Sequence, residues 1–412
     1  MESRLTQQFE NSAKEGKIAG IAAIALDKSG NVLFKGSWGT TNLADENAPA
    51  FAENTPVIIW SCTKIITSVA ALQLIEQGKI GLEDLVGKHV PSMKNIQVLE
   101  GWQTNGEPIC RPAKTEATIR HLMTHTSGFT YDFFDAKTLK WREAHNQPPA
   151  AYHTGTRDYY ATPLSFDPGS QYEYGISTDW LGFVVEAVSG MPLNEYVTEN
   201  ITGPLGMLDT SPHPKTGQPY LVMHHRGNDG SLMANPDLNL HAAKPEVYGG
   251  GHYLYSTLND YSTFLLALLN GGTHPASKVQ ILRPESVKEY IFADHLSRLG
   301  IPTTGVGEIR TTIPPVSSDG DLLPGISKSW SCGLMLNTQD NPTGRPAGSG
   351  QWCGLGNLFY WIDPVNGKLG LVMSGIFPFL DREVLTLFDE LERMVYGHDS
   401  ATEGEQRNFK FP

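Results

Sequence analysis

The apolar positions of the chain change period several times, and each change marks an element. Leu5, Phe9 and Ala13 recur at i, i+4 and i+8, which predicts a helix over roughly 4–15. IAAIALD and VLFKGSWG follow, two β-prone runs joined by KSGN, and read as an antiparallel hairpin. The short run Val57-Ile58-Ile59-Trp60 leads into Ser61. From there Ile65, Val69, Leu72 and Ile75 carry a helix to Gln77, and Gly78 ends it as a left-handed residue. Residues 81–240 alternate helical stretches with long loops, broken by Pro112, Pro148, Pro149, Pro163 and Pro168. Near the end, Asn357–Asp363 and Leu369–Gly375 flank PVNGK as a second hairpin. A last helix aligns Val384, Leu387, Phe388, Leu391 and Val395 on one face.

Strands at both chain ends around a mostly helical middle predict a single antiparallel sheet with flanking helices, an α/β (α+β) architecture. The α/β part is expected from 1–60 and 245–412 and the helical part from 61–244, with Ser61 on the floor of the cleft between them. No internal repeat is present.

Composition narrows the function. A chain of 412 residues, 40% hydrophobic, can bury a large core. The net charge of -13, with no basic run, argues against nucleic acid and anionic membrane surfaces as partners. The first 20 residues are polar, without the apolar segment of a signal peptide, and no run of about 18 apolar residues could span a bilayer. Four scattered cysteines, Cys62, Cys110, Cys332 and Cys353, lack metal-site spacing and read as buried thiols of a reduced, cytoplasmic protein.

Ser61-Cys62-Thr63-Lys64 is the first candidate for chemistry. A spacing of i, i+3 at a helix start puts hydroxyl and amine on one face, beside free N–H groups and the positive helix end. A partly desolvated lysine can act there as a base. About one such S-x-x-K is expected by chance in a chain this long, with the serine as an N-cap and the lysine in solvent. The apolar flanks argue for the enclosed lysine. Tyr174 follows the turn Asp167-Pro168-Gly169-Ser170 and could relay the serine proton, although most tyrosines only pack. Gly350-Gln351-Trp352-Cys353-Gly354-Leu355-Gly356 precedes a strand; its glycines let backbone N–H groups approach a substrate, or simply make a tight turn.

The ordered set of segments resembles the serine β-lactamase/penicillin-recognising superfamily. More closely it resembles class C-related esterases (family VIII-like) and fungal acyltransferases of the statin-side-chain type. The resemblance is carried by Trp60–Lys64, Val98-Leu99-Glu100-Gly101, Ile119–Gly128, Asp167-Pro168-Gly169, Tyr174, Gly203–Met207, Gly249-Gly250-Gly251, Ser256-Thr257, Asp260-Tyr261 and Asn270-Gly271-Gly272. It implies a β-lactamase/transpeptidase-like fold in which Ser61 attacks an acyl carbonyl. Lys64 and Tyr174 would share the acid–base work, and the backbone N–H groups of Ser61 and Leu355 would hold the oxyanion. Ile176, Trp352 and Gly354 would belong to the substrate pocket. Members directed at β-lactams carry Asn two residues after the tyrosine and a Lys-Thr-Gly strand; here those positions read Ile176 and Trp352-Cys353-Gly354. Neither replacement recognises an amide or carboxylate in that way, which suits a neutral, apolar ester.

The expected activity is therefore ester hydrolysis through acyl-Ser61, without metal or cofactor. Transfer from an ester or thioester to a natural-product alcohol, with an acyl-carrier partner, is the alternative. A catalytically inactive binding protein on the same fold is the reading of another class. His121 and His125 stand at i, i+4 but lack the Glu of a zinc motif, so structural hydrogen bonds are expected of them. His224-His225 reads as a surface or loop pair. Of the aromatics Trp102, Tyr131, Phe133, Phe134 and Trp352, only Trp352 is expected to wall the site, the others packing.

Overall fold

Seven strands drawn from the two ends of the chain form one antiparallel sheet. A computed structural model describes residues 2–149, 155–236, 238 and 244–400. The N-terminal helix α1 (Glu2–Lys14) leads to strands β1 (Gly20–Asp27) and β2 (Val32–Gly39). The remaining strands are β3 (Lys328–Trp330), β4 (Met335–Asn337), β5 (Gly350–Gly354), β6 (Leu358–Asp363) and β7 (Lys368–Ser374). Their order across the sheet is β3-β4-β5-β6-β7-β1-β2. The two ends meet where Ala23 pairs with Val372 and Ile24 with Leu371.

All of β1 but its last residue is buried. Such a strand must be covered on both faces. Helix α1 and the C-terminal helix Arg382–Tyr396 pack together, and both reach the sheet; Leu258–Leu269 also packs on β1, β6 and β7. The C-terminal helix is amphipathic as expected, with Val384, Leu387, Phe388, Leu391 and Val395 all buried. Asp381 caps it, its carboxylate accepting from the Glu383 and Val384 amides.

The middle of the chain carries helix α2 (Thr63–Glu76) and α3 (Ser177–Ser189). In α2, 11 of 14 residues are buried. A helix buried on nearly every side belongs to the core, and each enclosed Ile, Leu or Val stabilises it by about 1.5–3 kcal/mol. Gly78 ends it at φ +69, as the sequence predicts.

Two hairpins interrupt the expected helical middle: Gln97–Trp102 with Pro108–Pro112, and Met223–Arg226 with Leu232–Asn235. Each is closed by an Asn/Asp-Gly turn, with Gly106 at φ +86 and Gly230 at φ +85. The second corrects the reading of His224-His225 as a surface or loop pair. His224 lies in a strand and is buried, its Nε2 accepting from the Leu43 amide. The cysteine reading also needs one correction: three thiols are buried, but Cys110 is exposed on the first hairpin.

Candidate active site

Ser61 does not start a regular helix. It sits in a single 3₁₀ turn, Trp60–Cys62, that runs into α2, so it is neither an N-cap nor a member of the α-helix proper. Trp60 takes φ +47, a left-handed backbone that a bulky residue adopts only under constraint, at a cost of about 1–3 kcal/mol. The constraint is visible in strand β5. A Cβ on Gly354 would lie 2.5 Å from the Ile59 carbonyl oxygen, so only glycine lets β5 run this close to the serine turn. Leu355 follows directly and joins Ser61 in the lining of one pocket.

One turn on, Lys64 is buried, and its ammonium has three acceptors at hand. Nζ donates to Ser61 Oγ at 3.1 Å, to the Tyr131 hydroxyl at 2.9 Å and to the Gly251 carbonyl at 2.9 Å. The rings of Tyr131 and Tyr174 lie 5.1 and 4.8 Å from the same nitrogen. Burial lowers the Lys64 pKa from its ordinary value, with the nearby Asp179 carboxylate opposing. Asp179 is itself pushed up by burial and held down by Lys64. Between them lies Gly251, whose amide donates to Asp179 Oδ1 at 3.0 Å while its carbonyl accepts from Lys64.

Three donors matched to three acceptors describe the charged amine. A neutral amine has only two hydrogens and a lone pair, so one acceptor must reverse its role. The Gly251 carbonyl cannot. Ser61 or Tyr131 can, and a hydroxyl donating to Lys64 Nζ is the arrangement from which a serine proton is removed.

Tyr174 stands across the pocket, and its hydroxyl accepts from the Trp352 indole at 3.1 Å. Burial holds its phenol well above the ordinary range, with hydrogen bonding to Ser61 acting the other way. His125 steadies this segment. Its carbonyl accepts from the Glu173 amide at 2.9 Å and its Nδ1 from the Gly175 amide at 3.3 Å. Burial and Lys64 together push His125 well below its usual pKa, so it is a neutral fixture. His121 likewise accepts from the Thr118 amide, at 3.2 Å. Both histidines make the structural hydrogen bonds expected of them. Among the described residues no group of three or more His, Cys, Asp or Glu side chains is arranged to hold a metal.

The structure therefore brings Ser61, Lys64, Tyr174, Trp352 and Leu355 together. It separates two others. Ile176 is 1% exposed in the core at the start of α3, outside the pocket lining, and Gly354 contributes only its close backbone approach. Trp352 is not alone: Tyr131, Phe133 and Phe134, expected only to pack, line the pocket with it, as do Trp60, Tyr174 and Phe379. Trp102 lies under Lys140 instead, 4.5 Å from its nitrogen. The sequence reading also left Asp179 unassigned. It lies five residues beyond Tyr174, in the first turn of α3, where no periodic or motif signal announces its contact with Gly251.

This arrangement has known counterparts. The sequence matches the family described as Beta-lactamase over residues 5–386. The chain belongs to the beta-lactamase family. Within it, the chain is similar to the monacolin J acid methylbutanoyltransferase of Aspergillus terreus, at 28% identity over 399 residues and 94% of each chain. It is similar also to the lovastatin esterase of Penicillium rubens, at 27% identity, covering 97% of this chain and 99% of the relative. A mutant of the simvastatin synthase from Aspergillus terreus superimposes with a TM-score of 0.81, at 27% identity over 95% of this chain and 94% of the other. These beta-lactamase-family relatives include both an esterase and acyltransferases, the two activities between which the sequence leaves the choice open. Among the described residues no helix is long and apolar enough to cross a membrane.

Proposed function

We propose that this protein is a serine carboxylesterase for apolar acyl groups, working through an ester on Ser61. One observation carries the reading: a buried lysine of lowered pKa hydrogen-bonds a serine hydroxyl that opens into an aromatic-walled pocket. Ser61 Oγ bonds to the acyl carbon while its proton passes to the Lys64–Tyr174 pair. The backbone N–H groups of Ser61 and Leu355 take up the charge on the carbonyl oxygen. The bond from the acyl carbon to the alcohol oxygen then breaks, and the departing alcohol receives the proton. Water repeats the sequence and frees the acid. Trp352 lines the pocket where a cation would be needed, and Ile176 offers no amide from the core, so β-lactams are expected to be poor substrates.

Acyl transfer is the second reading, favoured by the name of the methylbutanoyltransferase relative. It uses the same residues, with an alcohol replacing water and an ester, thioester or acyl-carrier partner as donor. The helical part at 61–244 would then supply the acceptor's side of the cleft. The four free thiols support a cytoplasmic location.

Intact-protein mass spectrometry tests the proposal. After mixing with p-nitrophenyl butyrate, an added butanoyl mass that maps to Ser61 and clears in water is expected. A mass that persists until an alcohol is added makes the protein a transferase. No adduct, with unchanged substrate, leaves an inactive binding protein.

A further inference from the structure

Beside the Ser61 pocket lies a second cavity of about 290 Å³, and the two share Phe134, Tyr174, Ile309 and Trp352 as walls. Their chemistry differs. The Ser61 side is completed by Phe133, Leu355 and Phe379, an apolar surround suited to an acyl chain. The second cavity adds five charged residues, Asp135, Lys137, Glu173, Glu308 and Arg310. Tyr174 borders both, so the hydroxyl that serves the leaving group is within reach of the polar cavity.

The polar groups there are not equivalent. Asp135 is already spent: its Oδ2 accepts from the Thr130 and Thr138 hydroxyls at 2.9 and 3.2 Å, and its Oδ1 from the Lys137 amide at 2.8 Å. Arg310 pairs with Glu308 at 3.3 Å. Glu173 differs, for among the described residues its carboxyl has no hydrogen-bond or ion-pair partner. A carboxyl that lines the cavity without such a partner is available to a bound hydroxyl.

We propose that this cavity seats the alcohol portion of the substrate, and that the Glu173 carboxyl hydrogen-bonds a further hydroxyl on it, making monoesters of neutral diols or polyols the preferred substrates. The inference rests on the acyl-Ser61 reading above. Burial raises the Glu173 carboxyl to about 7, so near neutrality it can both donate to and accept from a hydroxyl. Asp135, Glu173 and Glu308 outnumber Lys137 and Arg310 in the lining, so a carboxylate on the alcohol fares worst, while an ammonium meets two cations there.

The test compares four butanoate esters at pH 7: propyl, 3-hydroxypropyl, the choline ester and 3-(butanoyloxy)propanoate. Wild-type protein is expected to favour the 3-hydroxypropyl over the propyl ester by about 10-fold in kcat/KM, the scale of one hydrogen bond to an ionisable group. Glu173→Leu should bring that ratio near one, Glu173→Gln should keep part of it, and the carboxylate ester should be slowest. A wild-type ratio near one, a ratio that Glu173→Leu leaves intact, or a preference for the choline ester would overturn the inference while leaving acyl-enzyme chemistry standing. Absence of Ser61-dependent turnover on every ester, p-nitrophenyl butyrate included, would instead refute the underlying reading and this inference with it.

Discussion

The carbonyl oxygen of Gly251 takes one of the three hydrogen bonds of the Lys64 ammonium, at 2.9 Å. A side chain at this position has nowhere to go, because its Cβ would lie 2.7 Å from Asp179 Oδ2 and 2.9 Å from Lys64 Nζ. Gly251→Ala should therefore displace the lysine and lower kcat by about 100-fold, since small misplacements at a reacting centre are severe. Steady-state kinetics beside circular dichroism check this; wild-type kcat in a folded variant would show that Lys64 needs no such seat.

Asp179 acts on Lys64 by charge, and its removal has a definite sign. The carboxylate raises the lysine pKa against burial. In Asp179→Asn that contribution is gone, so the lysine loses its proton at lower pH. If the neutral amine is the base, activity rises with pH as Lys64 deprotonates, and the rising limb of kcat/KM should move to lower pH in the variant. A profile measured from pH 5 to 10 decides it. A limb that stays put assigns the ascending ionisation to another group.

Two tyrosines flank the lysine and should differ in weight. Tyr174→Phe removes the hydroxyl facing the serine and the leaving group and should cost about 100-fold or more in kcat. Tyr131→Phe removes one hydrogen bond to Lys64, and about 10-fold is expected. Single-turnover rates with p-nitrophenyl butyrate separate them, and the reverse ranking would move the acid–base role to Tyr131.

Outside the pocket lining, Arg111 on the first inserted hairpin clamps Asp167, with both contacts at 2.7 Å. Hydrogen bonds from Arg111 hold the Asp167 carboxyl down to about 2, against an ordinary 3.8. A lowered folded pKa adds stability that is fully present above 3.8 and is lost as pH falls toward about 2. Arg111→Met should thus lower Tm at pH 7, with the difference from wild type vanishing near pH 2. A constant difference across that window would mean Arg111 contributes by packing alone.

The parts of the molecule built on period and turn chemistry were legible. Both predicted hairpins of the sheet, the helix closed by Gly78 and the apolar face of the C-terminal helix all form. The inserted hairpins carry the same signal, Asn105-Gly106 and Asp229-Gly230, but their strands are short and the surrounding prolines suggested loops. Ser61 and Lys64 were legible because they share one helical turn. Tyr131, Asp179 and Gly251 were not, because each reaches Lys64 across a long stretch of chain, from elements whose packing no local spacing encodes. Ile176 shows the opposite failure: its position in a motif pointed to the pocket, while its side chain turned into the core.

Glu173, Tyr174 and Gly175 are consecutive, and two of their amides are fastened to the single residue His125. Any change that shifts His125 as a whole, backbone carbonyl and imidazole, moves the phenol and the neighbouring carboxyl together. Rate and choice of alcohol are then inherited as one trait, and a lineage seeking a new acceptor has more freedom across the cavity, at Ile309 and Arg310, than on the strip that carries the tyrosine.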